Sequence, residues 1–239
     1  MSSLQTEYAE LPDIRIAFTQ YGSGRILILL HGNSESKSIF KPYQITHFPV
    51  FTTIAIDSRG HGESKSTDEA YSINQYSEDV INLCKLKGIS DAYVIGYSDG
   101  GNIALLLAKK APELFSRIIA ISPNYLVSGT TDDALRFISL VYKILSFLNR
   151  IGFKTKKSMM RFNLMLEDIG ITDDELKSIR TDIKLIYAEH DMIKEVHLKQ
   201  LAELIPNSSL DKINGCNHMT ILNNKKAIEI MKDFLLDQK

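Results

Sequence analysis

The sequence predicts an α/β fold, a mostly parallel sheet with helices on both faces and one helical insertion. Three observations carry this. Short apolar runs alternate with helical patterns along most of the 239 residues, the rhythm of strand–helix–strand units. Runs such as Arg25 to Leu30 are apolar almost throughout, as in strands buried on both faces. The rhythm stops from Asn124 to about Arg180, where only helical patterns remain, and then resumes.

Ile14 to Gln20 reads as an early strand, and Thr52 to Asp57 as the strand after Arg25–Leu30. Ser72 and Gln75 have capping-box spacing and open a helix. Its apolar positions are Ile73, Tyr76, Val80, Leu83 and Cys84, and Gly88 is its stop. Ala92 to Gly96 and Arg117 to Ser122 are the next strands. Thr131 precedes a long helix to about Arg150, Ser158 is expected to cap a shorter one, and Thr172 and Glu175 form a second capping box. Strand Ile183–Ala188, helix Val196–Leu204, strand Ser209–Ile213 and a last amphipathic helix with Ala227, Ile228, Met231, Phe234 and Leu235 on one face complete the chain. Residues 1–123 and 181–239 are therefore expected to form the core, and 124–180 a helical lid.

With 44% hydrophobic and 24% charged residues, the chain can bury one sizeable core. A net charge of −1 gives no global reason to expect nucleic acid or an anionic membrane as partner. The N-terminus lacks a secretory pattern. No apolar run is long enough to span a bilayer; Leu135 to Leu148 is broken by Arg136, Ser139, Lys143 and Ser146. Two cysteines, Cys84 and Cys216, are too few for a disulfide scaffold, so a cytoplasmic location is expected. There is no His-x-x-x-His, no CxxC, no carboxylate-rich Ca²⁺ loop and no phosphate-binding glycine loop, so neither metal nor cofactor is expected.

Gly96-Tyr97-Ser98-Asp99-Gly100 spells Gly-x-Ser-x-Gly. The pentapeptide alone is weak, since ordinary Gly and Ser usage produces it by chance in roughly one chain in ten of this size. Here it lies between a strand and a helix, where a tight turn lifts the serine hydroxyl clear of the backbone. A serine hydroxyl needs a base, and the base needs an orienting group. His218, in the loop after Ser209–Ile213, is the candidate base. Asp191, three residues past Ala188, is the candidate acid, with Glu189 its local rival. Asn124, past the preceding strand, cannot act as an acid. The backbone N–H groups of Asn33 and Asp99 are candidates for an oxyanion hole. His31 and the cluster Asp57, Arg59 and His61 read as structural braces, Cys84 as a small core residue, and Cys216, two residues before His218, is not expected to be the nucleophile because Ser98 occupies the better turn.

These motifs, in the order Ser98…Asp191…His218 with His31-Gly32 and Asp57-x-Arg-Gly-His-Gly-x-Ser64 after successive strands, resemble the α/β-hydrolase fold family. The resemblance runs from about Ile14 to the last helix. The Gly-Tyr-Ser-Asp-Gly-Gly101 elbow is similar to those of its serine carboxylesterase-like branch. Ala188 and Asp182 depart from the family's usual glycine and proline without touching the triad. The resemblance implies an α/β-hydrolase core with an inserted lid and a serine hydrolase acting on esters, with a small-molecule ester as partner and a homodimer allowed. Ser98 excludes the aspartate-nucleophile dehalogenases. Carbon–carbon hydrolases of ring-fission products, cofactor-free perhydrolases and ligand-sensing relatives share the triad and stay as alternatives. Phe137, Leu140, Val141, Ile144, Met159, Met160, Phe162 and Met165 together are expected to line a small or medium acyl pocket, although each singly reads as lid packing. Arg150, Lys154, Lys156, Lys157 and Arg161 read as a solvated basic face, with an acidic substrate group or an anionic lipid surface as the alternative.

Overall fold

The structure, a computed structural model, describes residues 4–66 and 70–237. The ends of both expected core segments, 1–3 and 238–239, lie outside the described residues. The chain runs through β1 (Thr6–Leu11), β2 (Ile14–Tyr21), β3 (Ile26–Leu30), β4 (Thr52–Ile56), β5 (Lys65–Ser66), α1 (Ile73–Leu86), β6 (Ala92–Tyr97), α2 (Asp99–Lys110) and β7 (Phe115–Ile121). Then come α3 (Asp132–Arg150), α4 (Lys156–Leu164), α5 (Asp173–Ser178), β8 (Asp182–His190), α6 (Glu195–Leu204), β9 (Ser208–Asn217) and α7 (Lys225–Leu236).

Strand β3 shows why the sheet is covered twice. Successive side chains point to opposite faces. Ile28 and Leu30 join the core under α1, α2 and α6, while Leu27 and Leu29 join the core under α7. A strand apolar at every position can be satisfied only between two layers. The sheet order is β1-β2-β4-β3-β6-β7-β8-β9, with β5 against β2. From β4 to β9 along that order the neighbours are parallel, whereas β1, β2 and β5 pair antiparallel.

Strand β1 escaped the sequence reading because it is an edge strand with Ala9 its only buried residue, so no apolar alternation marks it. Ser72 caps α1 by accepting from the Gln75 N–H at 3.1 Å, and Gly88 follows that helix with φ +65°. The Thr172–Glu175 capping box has both of its bonds. Ser158 does not cap α4. Thr155 precedes that helix, with its hydroxyl tied to Leu145 O at 2.8 Å, and Ser158 lies inside the first turn, accepting from Arg161 Nη2.

The strand ends matter most. Gly96 pairs with Leu30 on one side and Ala120 on the other, so β3, β6 and β7 finish level. Strands β8 and β9 run further than expected. After a register shift past Ala188 they pair again at His190↔Asn217. Such a bulge re-aims a strand without ending its pairing. It carries Asp191 and His218 off adjacent strand ends rather than from two free loops.

Candidate active site

The turn at Ser98 is strained and crowded. Ser98 has φ +54° and ψ −117°, a region that side chains avoid. Its N–H donates to Ile121 O at 2.8 Å and its carbonyl accepts from Asn102 N–H at 3.0 Å, which fix the turn from both sides. A Cβ on Gly96 would meet Gly100 O at 2.1 Å, and one on Gly100 would meet Leu30 O at 2.1 Å. Only glycine lets the strand, the turn and α2 approach so closely.

Ser98, His218 and Asp191 come together in one hydrogen-bonded chain. Ser98 Oγ lies 3.1 Å from His218 Nε2, and His218 Nδ1 lies 2.7 Å from Asp191 Oδ1. With Asp191 accepting the Nδ1–H, Nε2 is left to accept the serine proton. Asp191 has three further donors: Ser122 Oγ at 2.5 Å, Ala188 N–H at 3.0 Å and Ile193 N–H at 3.1 Å. Burial pushes its carboxyl up, but the His218 and Ser122 bonds and the Ala188 N–H outweigh that and hold it below the usual range. Asp191 is thus a fixed anion at neutral pH. Glu189, the rival acid, is occupied with Gly215 N–H instead.

Two residues the sequence reading did not single out support this chain. Ser122, at the end of β7, has φ +51° and aims its hydroxyl at Asp191. Tyr97, beside the serine, donates its hydroxyl to His218 O at 2.8 Å, with its ring against the imidazole. A serine directly past a strand end was the available signal for Ser122. Nothing in the sequence marks the Tyr97 contact.

Asn33 sits where its side chain ties three segments. Its Nδ2 donates to Asp99 Oδ2 at 2.9 Å and to Arg161 O at 2.7 Å. The N–H groups of Asn33 and Asp99 have no acceptor among the described residues; that of Asp99 is in the first turn of α2, where helical N–H groups lack internal partners. Burial raises the Asp99 carboxyl to about 6, against the pull of the Asn33 donor.

The remaining charged motif braces loops. Asp57 accepts from Lys37 N–H and Nζ and from Glu63 N–H. Arg59 pairs with Asp79 and Asp13. His31 donates to Gly32 O and accepts from Ser58 N–H, and His61 donates to Arg59 O and accepts from Ser34 N–H. Burial holds both imidazoles neutral, His61 down to about 3. Cys216 donates to Ile213 O, and burial raises its thiol. Among the described residues no three His, Cys, Asp or Glu side chains are grouped to hold a metal ion.

A cavity of about 250 Å³ opens on Ser98 and His218. Its apolar wall comes from Phe137, Ile138, Phe162, Met165, Met192 and Met219, with Tyr97 beneath. Of the eight apolar residues expected there, Phe137, Phe162 and Met165 line it. Leu140 and Ile144 instead face outward, 57% and 49% exposed, while Met160 packs into the core. Arg161 also departs from the solvated face expected for it, because its Nε is buried without a partner. Glu35 is the unexpected polar lining residue. Its Oε2 accepts from Gly32 N–H at 3.0 Å, and burial raises its carboxyl. A Cβ on Gly32 would lie 2.9 Å from Glu35 Oε2 and 3.1 Å from Ser98 Cβ, so the two are within about 6 Å. A larger depression, about 610 Å³ beside Lys184 and Asp233, contains no nucleophile–base pair.

Comparison with known proteins agrees with this fold. A family model described as alpha/beta hydrolase fold matches residues 25–145. The chain is 31% identical over 122 residues to the 2-(acetamidomethylene)succinate hydrolase of Mesorhizobium japonicum, covering 51% of this chain and 44% of that protein. The chain thus matches less than half the length of that curated relative. An α/β-hydrolase enzyme from a Medee basin deep-sea metagenome library superposes with TM-score 0.84 at 19% identity over 98% of both chains. The carboxylesterase CesB of Bacillus subtilis superposes with TM-score 0.78 at 19% identity over 98% of this chain and 92% of its own. At such identities the two structures speak for the fold alone.

Proposed function

The chain belongs to the α/β-hydrolase fold family, and from that premise we propose that it is a serine hydrolase cleaving carboxylic esters of small to medium apolar acyl groups. The observation that carries the reading is the Ser98–His218–Asp191 chain opening into an apolar cavity of about 250 Å³. That volume lies just under the range usual for small-molecule sites.

In this mechanism His218 Nε2 takes the Ser98 proton as Oγ attacks the ester carbonyl carbon. Asp191 stabilises the imidazolium. The N–H groups of Asn33 and Asp99 receive the oxyanion. His218 returns the proton to the leaving alcohol, giving an acyl-enzyme. Water, deprotonated by His218, then attacks the acyl carbon and frees Ser98. Residues 124–180 serve as the lid, with Phe137, Ile138, Phe162 and Met165 as the acyl wall.

A substituted succinate, as named for the Mesorhizobium relative, is disfavoured for this chain. The Glu35 carboxyl lines the same cavity and opposes further negative charge. Hydrolysis of p-nitrophenyl esters from acetate to decanoate, run on the parent and on Ser98→Ala, tests the proposal. The parent should turn over short and medium esters and the variant should lose at least about 10³-fold. Equal turnover by the variant would overturn the assignment.

A further inference from the structure

Helix α3 leaves an apolar row uncovered. Phe137, Leu140, Ile144, Phe147 and Ile151 are 49–62% exposed, and Phe153 in the following turn is 59% exposed. Spaced alternately three and four apart, the first five share one side of the helix. The row is about 21 Å long at 1.5 Å per residue. None of these side chains belongs to the hydrophobic cores. Exposed apolar stripes of this length mark interaction surfaces rather than ordinary solvent-facing helix.

The charge beside the row says what it meets. Arg136, Lys143 and Arg150, seven apart, follow its flank. From Ala134 to Leu166 the chain has seven Lys and Arg and no Asp or Glu, although the whole chain carries 28 against 29. Lys143, Arg150, Lys154 and Lys157 make no ion pair among the described residues; Arg136 keeps a loose pair with Asp133 at 3.5 Å. An apolar row with a basic flank matches the acyl and phosphate zones of an anionic bilayer surface. A second copy of the chain matches it poorly, because a symmetric pairing would oppose two basic flanks.

We propose that the outer face of α3, with the α3–α4 turn, docks on anionic membrane surfaces. Phe137 belongs both to this row and to the wall of the Ser98 cavity. Docking therefore brings the cavity mouth to the lipid, where amphiphilic esters partition. The proposed docking is peripheral; no helix among the described residues is long and apolar enough to cross a membrane. Docking does not depend on the ester reading, since binding and turnover are separate readouts.

Co-sedimentation with phosphatidylcholine vesicles, with and without phosphatidylglycerol, tests this on the full chain. The parent should bind the phosphatidylglycerol vesicles at least about tenfold more tightly at low salt, and lose that advantage as salt screens the charges. Leu140→Gln with Phe147→Gln should abolish binding, and Lys143→Gln with Arg150→Gln should abolish the lipid preference. Far-UV circular dichroism should show all of them folded, because every substitution is on an exposed helix position and Gln is a good helix former. Should the apolar pair unfold the chain, the charge pair alone decides. Absence of binding by the parent, binding unchanged in the folded variants, or a solution dimer dissolved by Leu140→Gln with Phe147→Gln would each overturn the proposal.

Discussion

Ten of the twelve residues of α2 are buried, whereas Ile138 alone is buried among the nineteen of α3. Both helices are rich in Leu, Ile and Ala or Phe, so composition does not separate them. Position does. Helix α2 runs from the Ser98 turn between the sheet and α1, and its neighbours reach every side of it. Helix α3 lies outside the sheet layers, packs one side against α4 and leaves the other exposed. The buried region thus holds the proposed reacting groups to hydrogen-bond precision. The exposed region supplies a wall that can be altered without disturbing them.

Breaking the buried side should have the largest effect. Asp191→Asn should lower kcat for a short ester about 10⁴-fold by removing the acceptor that sets the imidazole tautomer. Phe147→Gln should leave that kcat unchanged. Steady-state kinetics on a water-soluble ester checks both, and an active Asp191→Asn protein would erase the contrast. Stability should divide the same way. Leu105→Ala in α2 should cost about 3 kcal/mol in urea unfolding, as for a fully buried leucine, and Leu140→Ala in α3 less than about 0.5 kcal/mol. Similar costs would mean that α3 is covered in solution.

Asp99 sharpens the comparison through pH. Burial raises its carboxyl from 3.8 to about 6, so between those values the folded protein holds a proton that the unfolded chain releases. Stability from this group is therefore highest at low pH and falls as pH rises through that window. Asp99→Asn should remove the fall, gaining roughly 2–3 kcal/mol over the parent at pH 7 relative to pH 4. Asp191, whose carboxyl is lowered, acts in the opposite direction but equally in both proteins. A parent-to-variant difference that is flat from pH 4 to 7 would show that Asp99 is not desolvated. The smallest effect is expected at Glu35. Glu35→Gln should raise kcat/KM for neutral esters a few-fold at pH 8, by removing a negative charge near the developing oxyanion, and more for anionic esters. A fall for both would make Glu35 a contributor to the reaction instead.

The sequence was most legible where backbone demands are strict. Gly96 and Gly100 flank Ser98 because no other residue fits, and Asp191 follows a strand with a clear apolar run from Leu185 to Ala188, whereas the strand before His218 carries only a sparse apolar pattern at Leu210 and Ile213. It was least legible where contacts depend on distant partners. Glu35 enters the cavity through a turn whose shape depends on Gly32 and Ser34. Ser122 reaches Asp191 only because β8 follows β7 in the sheet. Leu140 and Ile144 carry the same helical signal whether a helix covers a pocket or faces outward, so their exposure became visible only in three dimensions.

The most direct test of the central claim, that Ser98 is an activated nucleophile, is covalent capture. An alkyl fluorophosphonate phosphorylates activated serines without needing the natural substrate. Peptide mass spectrometry should find one adduct per chain, on Ser98, absent in Ser98→Ala and strongly reduced in His218→Ala. An adduct elsewhere, or labelling at Ser98 that is unchanged without His218, would contradict the account.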